Sequence, residues 1–212
     1  ALATDWTYQP PLDGNLDPVE DDAEIFFATD QVVAGMAARH RSIIDARPRG
    51  CVLPHWMSDF GQLHWKFLLD FGSFRDIQRH RNGVCRMPLL TTDYGFEPWY
   101  LSRLPAGLQD AAQGLIDDMM PRINKLTDNP VTRQYYIPLG FRVQTSVTYG
   151  LPAAVYVMEL RSGKMIHPTL RTKVHGMIKR FLEVFPGFKL HVDLDPNDWD
   201  VRRGTQTITA KP

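Results

Sequence analysis

The sequence predicts an α+β fold, and three observations carry that reading. In "QLHWKFLLDFGSF", Leu63, Trp65, Phe67, Leu69 and Phe71 alternate with Gln62, His64, Lys66, Leu68 and Asp70, the period of two that marks a strand with one buried face. The segment "YYIPLGFRVQTSVTYG" repeats the pattern, with Phe141, Val143, Thr145 and Val147 facing one way and Arg142, Gln144, Ser146 and Thr148 the other. Each strand runs through a glycine-containing turn into a helix, and longer stretches of helical spacing surround the pair.

Taken in chain order, residues 1–22 have no period and mix Pro, Gly and acid in "YQPPLDGNLDPVEDD", so they read as an N-terminal arm. Ile25, Val32, Val33, Met36 and Ile43 fall near helical spacing and predict a helix from about Asp30 to Asp45, ended by "ARPRG". Arg39, His40 and Arg41 lie on it, on a solvated face. After the first strand, Ser73 and Asp76 resemble a capping box, and a short helix is expected from Phe74 to about Asn82, stopped by Gly83. On that helix Arg75, Gln78, Arg79 and Asn82 share a face. Residues 84–104 read as irregular, and residues 105–126 as a helix interrupted at Pro121.

Gly150-Leu151-Pro152 opens the next helix, which carries Arg161 near its end and stops at Gly163. His167-Pro168 starts a longer one with the stripe Leu170, Val174, Met177, Ile178, Phe181 and Phe185, closed by Pro186-Gly187. "FKLHVDLD" is expected as a last strand, and residues 196–212 as a polar tail. The expected organisation is one domain, 23–195, between two arms, and a chain that begins without Met fits a domain excised from a longer protein.

Hydrophobic residues make up 43% and charged residues 23% of the 212, the balance of a globular domain. Lys+Arg and Asp+Glu are equal at 24 each, so no global field draws nucleic acid or an acidic membrane, and any anion site must be local. No apolar run approaches the roughly 20 residues that span a bilayer. Cys51 and Cys85 have neither metal-ligand spacing nor a disulfide framework, which points to a reducing, cytoplasmic setting. Metal ligation is not expected: His55 and His64 flank Trp56 and Trp65 without partners, and Asp193 and Asp195 read as a strand end. No GxGxxG, phosphate-binding Walker loop, HExxH or GxSxG is present.

The densest cationic stretch is "FRDIQRHRNGVCR". Arg75, Gln78 and Arg79 on one helix face would hold phosphate oxygens through forked, charge-assisted bonds, as a flavin or nucleotide supplies. The same residues also read as a solvated basic helix end that favours the helix dipole, and Arg161 reads either way too. The earlier copy at Arg39-His40-Arg41 has no strand and turn to position it.

The order of features then matters: strand, tight turn, "RHR", later "PLGFRV", a strand, a helix ending "LR", and "HPTLR". This order resembles the flavin-dependent thymidylate synthase family, ThyX, over roughly Leu53 to Gly187, and most closely its divergent tandem-domain branch. The resemblance implies a thymidylate-synthase-complementing-protein-like fold, with mixed helices packed on a mainly antiparallel sheet. It implies a homotetramer or a tandem-domain partner, FAD as cofactor, and dUMP or a related pyrimidine nucleotide as substrate. It also implies methylenetetrahydrofolate as one-carbon donor, NADPH as reductant and dTMP as product. Carried over by position, Arg79, His80 and Arg81, with His55, contact FAD. Arg75 and Gln78 reach the nucleotide, and Arg161 approaches the uracil and is the catalytic candidate.

The sequence also departs from that family. Leu89 and Thr91 stand where a Ser and an Arg hold phosphate, Asp76 stands where a Gln is common, and Gly150-Leu151-Pro152 replaces Asn-x-Arg. An anion at Asp76 repels a phosphate placed beside it. These departures keep a second expectation open, a non-catalytic domain that serves as the structural or regulatory half of a larger assembly.

Overall fold

The computed structural model describes residues 25–198, with 200, 202–203 and 206–207. The arm expected over 1–22 and much of the tail lie outside the described residues. What remains is α+β, built on a four-stranded antiparallel sheet of order β1-β2-β4-β3. The strands are β1 (Phe26–Thr29), β2 (Gln62–Asp70), β3 (Gly83–Arg86) and β4 (Arg142–Gly150). Among the described residues, no helix is long and apolar enough to cross a membrane.

The alternation in the two long strands sets the register. Leu63 pairs with Tyr149, Trp65 with Val147, Phe67 with Thr145 and Leu69 with Val143, and all eight are at most 1% exposed. A one-residue slip would turn every one of them to the other face. Helix α7 (Leu151–Arg161) and helix α8 (Pro168–Val184) cover this inner face. The expected α8 stripe holds: Leu170, Val174, Met177, Ile178 and Phe181 are buried, and Phe27 packs between Trp65 and Phe181. α7 buries Leu151, Ala154, Val155, Val157 and Met158, so it is a core helix rather than a surface one.

Several local expectations are corrected. The helix expected over 30–45 is two, α1 (Gln31–Arg39) and α2 (Arg41–Ala46), broken at His40. The break lets His40 stack on Phe60 and meet the edge of Trp56, so it is not simply solvated. Arg41 donates to the carbonyls of Pro186 and Gly187, just beyond α8, where carbonyls lack helical partners. β1 is a short edge strand where helical spacing was expected. Residues 84–104 are not wholly irregular, since they contain β3 and helix α4 (Pro98–Ser102), capped by the Glu97 carboxylate. Helix α5 (Ala106–Leu126) passes through Pro121 as one 21-residue element. Proline removes one backbone bond there, and the Arg122–Asp118 ion pair spans the same turn at 2.6 Å. The segment 188–195 is extended without strand pairing among the described residues. It is held instead by Glu159, which accepts from the His191 amide and pairs with the buried Arg47. α6 (Pro130–Arg133) and a short ladder of β5 (Arg202–Arg203) with β6 (Gln206–Thr207) complete the elements.

The turn between β2 and the next helix, α3 (Phe71–Ile77), also differs from expectation. The N-cap is Asp70, not Ser73: the Ser73 amide donates to Asp70 Oδ2 at 2.9 Å. Capping from Asp70 starts the helix three residues early; it ends at Ile77, and Gln78 to Asn82 form a turn instead of a last helical turn. Asp70 is fully buried and also accepts from the Tyr100 hydroxyl at 3.1 Å. Replacing it strips the cap and leaves one buried donor, the Ser73 amide, and one half-buried donor, the Tyr100 hydroxyl, without their acceptor. Asp70→Ala is expected to cost about 2 kcal/mol in urea unfolding, and Asp70→Asn, which keeps an acceptor oxygen, distinctly less.

Candidate functional site

The site begins with that early end of α3. Because Ile77 is its last residue and Gly83 opens β3, residues 78–82 must turn within a few residues at the edge of β4. Gly83 is required there: a Cβ would lie 2.2 Å from the Tyr149 ring and 2.5 Å from the Thr148 carbonyl oxygen. The turn therefore presses against β4 and the start of α7, with the basic tripeptide at its crest.

His80 and Arg161, 81 residues apart in sequence, meet here. Arg161 Nε donates to His80 Nε2 at 2.8 Å, and a terminal nitrogen of the same guanidinium donates to the Asp76 carbonyl at 3.0 Å. A guanidinium has only donors, so Nε2 must be the acceptor and the His80 proton sits on Nδ1. Burial, then the Arg161 charge, pulls the His80 pKa down to about 4. His80 is thus a neutral imidazole near pH 7, held edge-on to Tyr156 with ring centres 5.9 Å apart. Burial also lowers the Arg161 pKa from its usual value.

Two adjoining cavities open beside this pair. A smaller one, about 360 Å³, is lined by Arg79, His80, Arg81 and Val157 among others. A larger one, about 760 Å³, takes in His55, Ser58, Val84, Thr148 and Pro152. Asn82, Ala153 and Tyr156 line both, so the cavities share a wall. Arg79 and Arg81 are exposed at the mouth, with Arg79 3.6 Å from Asp76. Together they form a cleft with an apolar wall, a neutral imidazole and two exposed cations. Such a cleft suits a flat, partly apolar ligand with an anionic group.

The sequence-derived residues separate accordingly. Arg79, His80, Arg81 and His55 line the cleft. Arg161 stands behind His80 and lines neither cavity, with two of its nitrogens engaged by His80 and by the Asp76 carbonyl of α3. Arg75 and Gln78 are exposed and line neither cavity. Leu89 and Thr91 lie beyond β3, in a loop whose Leu90 amide donates to Gln134 Oε1, and they too line neither cavity. Asn82 was placed on the basic helix face but given no site role from sequence, and Ala153 and Tyr156 were not singled out. The available signal was Pro152, which fixes the first turn of α7 and so places residues 153 and 156 on the cleft side. Burial pushes the Cys85 thiol up to about 12, which disfavours its thiolate. No cluster of three or more metal-ligating side chains exists among the described residues.

No protein-family model matches the chain. The chain is similar to UPF0159 proteins. It is 27% identical to one from Chlamydia pneumoniae over 199 residues, 92% of this chain and 34% of that one. It is 33% identical to one from Thermoplasma acidophilum over 120 residues, 55% of this chain and 24% of that one. A third, from Chlamydia muridarum, is 29% identical over 146 residues, 67% of this chain and 27% of that one. The chain thus spans about a third or less of the length of these relatives, whose shared designation names no activity.

The depressed His80 pKa has a consequence for stability. Between pH 6.5 and about 4 the unfolded chain binds a proton at His80 that the folded chain does not, so stability falls as pH falls through that window and levels off below it. His64 and His175 are lowered in the same direction, chiefly by burial, and add to the slope. Subtracting the urea-unfolding profile of His80→Gln from that of the wild type isolates the His80 share, which is expected to vanish in the variant.

Proposed function

We propose that the chain is an FAD-binding, ThyX-like enzyme that reductively methylates C5 of a deoxyuridine or uridine monophosphate with methylenetetrahydrofolate. The observation that carries the reading is the Arg161–His80 contact: the two motif segments that bear the family resemblance, remote in sequence, build one corner of one cleft. The α+β architecture, with helices packed on an antiparallel sheet, supports the corresponding fold.

The residues present suit a flavin. Val52, Leu53 and Pro54 give the larger cavity an apolar wall, and Tyr156 offers an aromatic ring between the two cavities. Arg79 and Arg81 would hold the pyrophosphate, and His80 and His55 would face the ring system. When bound, the flavin supplies the hydride that completes the methyl group, after reduction by NADPH. The chain's own part is positional and electrostatic. Neutral His80 has Nδ1–H as its one donor, because Arg161 occupies Nε2. Arg161, half-buried behind it, would add a fixed positive charge one ring back from the cleft, favouring negative charge that develops on a uracil oxygen placed against His80.

Asp76 favours a second reading. Its carboxylate, at the end of α3, lies beside Arg79, and Leu89 and Thr91 offer no charged phosphate ligand. In that reading the domain binds flavin but completes catalysis only with another domain.

A fluorescence titration with FAD tests the shared claim. Saturable quenching is expected, weakened about tenfold or more in Arg79→Ala/Arg81→Ala and unchanged in Arg39→Ala/Arg41→Ala. A protein that ignores FAD overturns both readings. Tritium release from 5-tritiated dUMP then separates them: release by the chain alone supports the enzyme, and none without an added partner domain supports the second reading.

A further inference from the structure

The larger cavity is lined by neutral polar side chains as well as by its apolar wall. Among the described residues no Asp, Glu, Lys or Arg lines it. The amides of Gln62 and Asn82 and the hydroxyls of Ser58 and Thr148 do. A phosphate is the wrong ligand for such a lining, and a neutral ring with a polar edge is the right one.

The sheet sets these groups around one place. Gln62 opens β2 and Asn82 precedes β3, and those two strands flank β4 on either side. Strands lie about 4.8 Å apart, so the two amides spring from backbones about 10 Å from each other, with the strand of Thr148 between them. In register, Gln62 faces Gly150, and Thr148 faces both His64 and Val84. Gly150 leaves its place in the row open for Ser58: a Cβ there would lie 3.2 Å from Ser58 Cα and Cβ. The turn His55–Phe60 can therefore bring the Ser58 hydroxyl close to the sheet.

Thr148 is the one of the four that is fixed. Its Oγ1 lies 2.8 Å from His64 Nδ1. Burial, then the charges of Lys66 and Arg86, lower the His64 pKa, so the ring is neutral near pH 7. Whichever of the two atoms donates, Oγ1 keeps a lone pair and can accept from an N–H in the cavity. The side chains of Ser58, Gln62 and Asn82 make no hydrogen bond within the protein among the described residues, so both amides have N–H groups to give. An acceptor between two amide donors complements a cyclic imide, in which one N–H stands between two carbonyls.

We propose that this part of the larger cavity is a subsite for the imide edge of a pyrimidine-2,4-dione ring, with Thr148 Oγ1 accepting the ring N–H and Gln62 and Asn82 donating to the flanking carbonyls. The subsite rests on the proposed function only so far as that reaction brings such a ring to the cleft, and the flavin and the uracil each carry one.

The probes are riboflavin against 3-methylriboflavin, followed by fluorescence quenching, and uridine monophosphate against 3-methyluridine monophosphate, followed by calorimetry. For the ring that occupies the subsite, methylating the imide nitrogen is expected to weaken binding about tenfold or more. Thr148→Val keeps the shape and removes the acceptor, so it should weaken the parent ligand to a similar degree and erase the preference, and Thr148→Ser should restore it. Gln62 is exposed, and Gln62→Met should weaken binding several-fold without lowering the melting temperature. A preference within the riboflavin pair assigns the subsite to the cofactor ring, and one within the uridine pair assigns it to the substrate ring. Methylated ligands that bind as well as their parents, a preference that survives Thr148→Val, or no binding of any of the four overturn the subsite. FAD binding together with indifference to imide methylation would leave the flavin reading intact and remove only the subsite. A preference within the uridine pair, in a chain that ignores FAD, would do the reverse.

Discussion

The carboxylate of Asp70 is the constraint on which the rest of the site depends. It closes β2, caps α3 through the Ser73 amide and takes the Tyr100 hydroxyl, all from a fully buried position. A buried carboxylate is costly unless it is hydrogen-bonded, so the chain has few ways to satisfy it other than by turning sharply at residue 71. α3 starts from that turn and ends at Ile77, and residues 78–82 form a tight loop against β4. The second constraint then acts from the far side, where Arg161, at the end of α7, ties the loop down through His80 and the Asp76 carbonyl. Cap and tie together convert a basic stretch into a wall of a cleft.

The two copies of Arg-His-Arg show what position adds to composition. At residues 39–41 the imidazole packs against Trp56 and Phe60, and Arg41 closes carbonyls beyond α8, so the tripeptide serves packing and capping. At residues 79–81 the imidazole is an acceptor, the arginines stand at a cavity mouth, and the environment keeps the ring neutral. The residue types are identical. What differs is the strand, the glycine and the distant arginine around the second copy.

Much of the fold was legible. The alternation of Leu63, Trp65, Phe67 and Leu69 and of Val143, Thr145 and Val147 foretold both long strands and their buried face, because period-two patterning has no other economical use. The α8 stripe was equally plain. The breaks were not: His40 interrupts a helical pattern for the sake of an aromatic contact, and Asp70 outcompetes Ser73 as a cap because burial makes its carboxylate the needier group. β1 and β3 are four residues each, too short for a period to show. Of the site, Arg79, His80, Arg81 and His55 could be read from motif order. The tie between His80 and Arg161, and the wall supplied by Asn82, Ala153 and Tyr156, depend on packing across 70 or more residues.

The central claim is that His80 is a neutral acceptor locked by Arg161 at the wall of the cleft proposed to take a flavin. Nitrogen-15 NMR of the imidazole tests it directly. The account predicts a proton on Nδ1, a bare Nε2, a pKa near 4 that rises toward the ordinary histidine value in Arg161→Ala, and a change in the His80 signals when FAD is added. A His80 that titrates near 6.5 in the wild type, with no response to Arg161→Ala or to FAD, would contradict it.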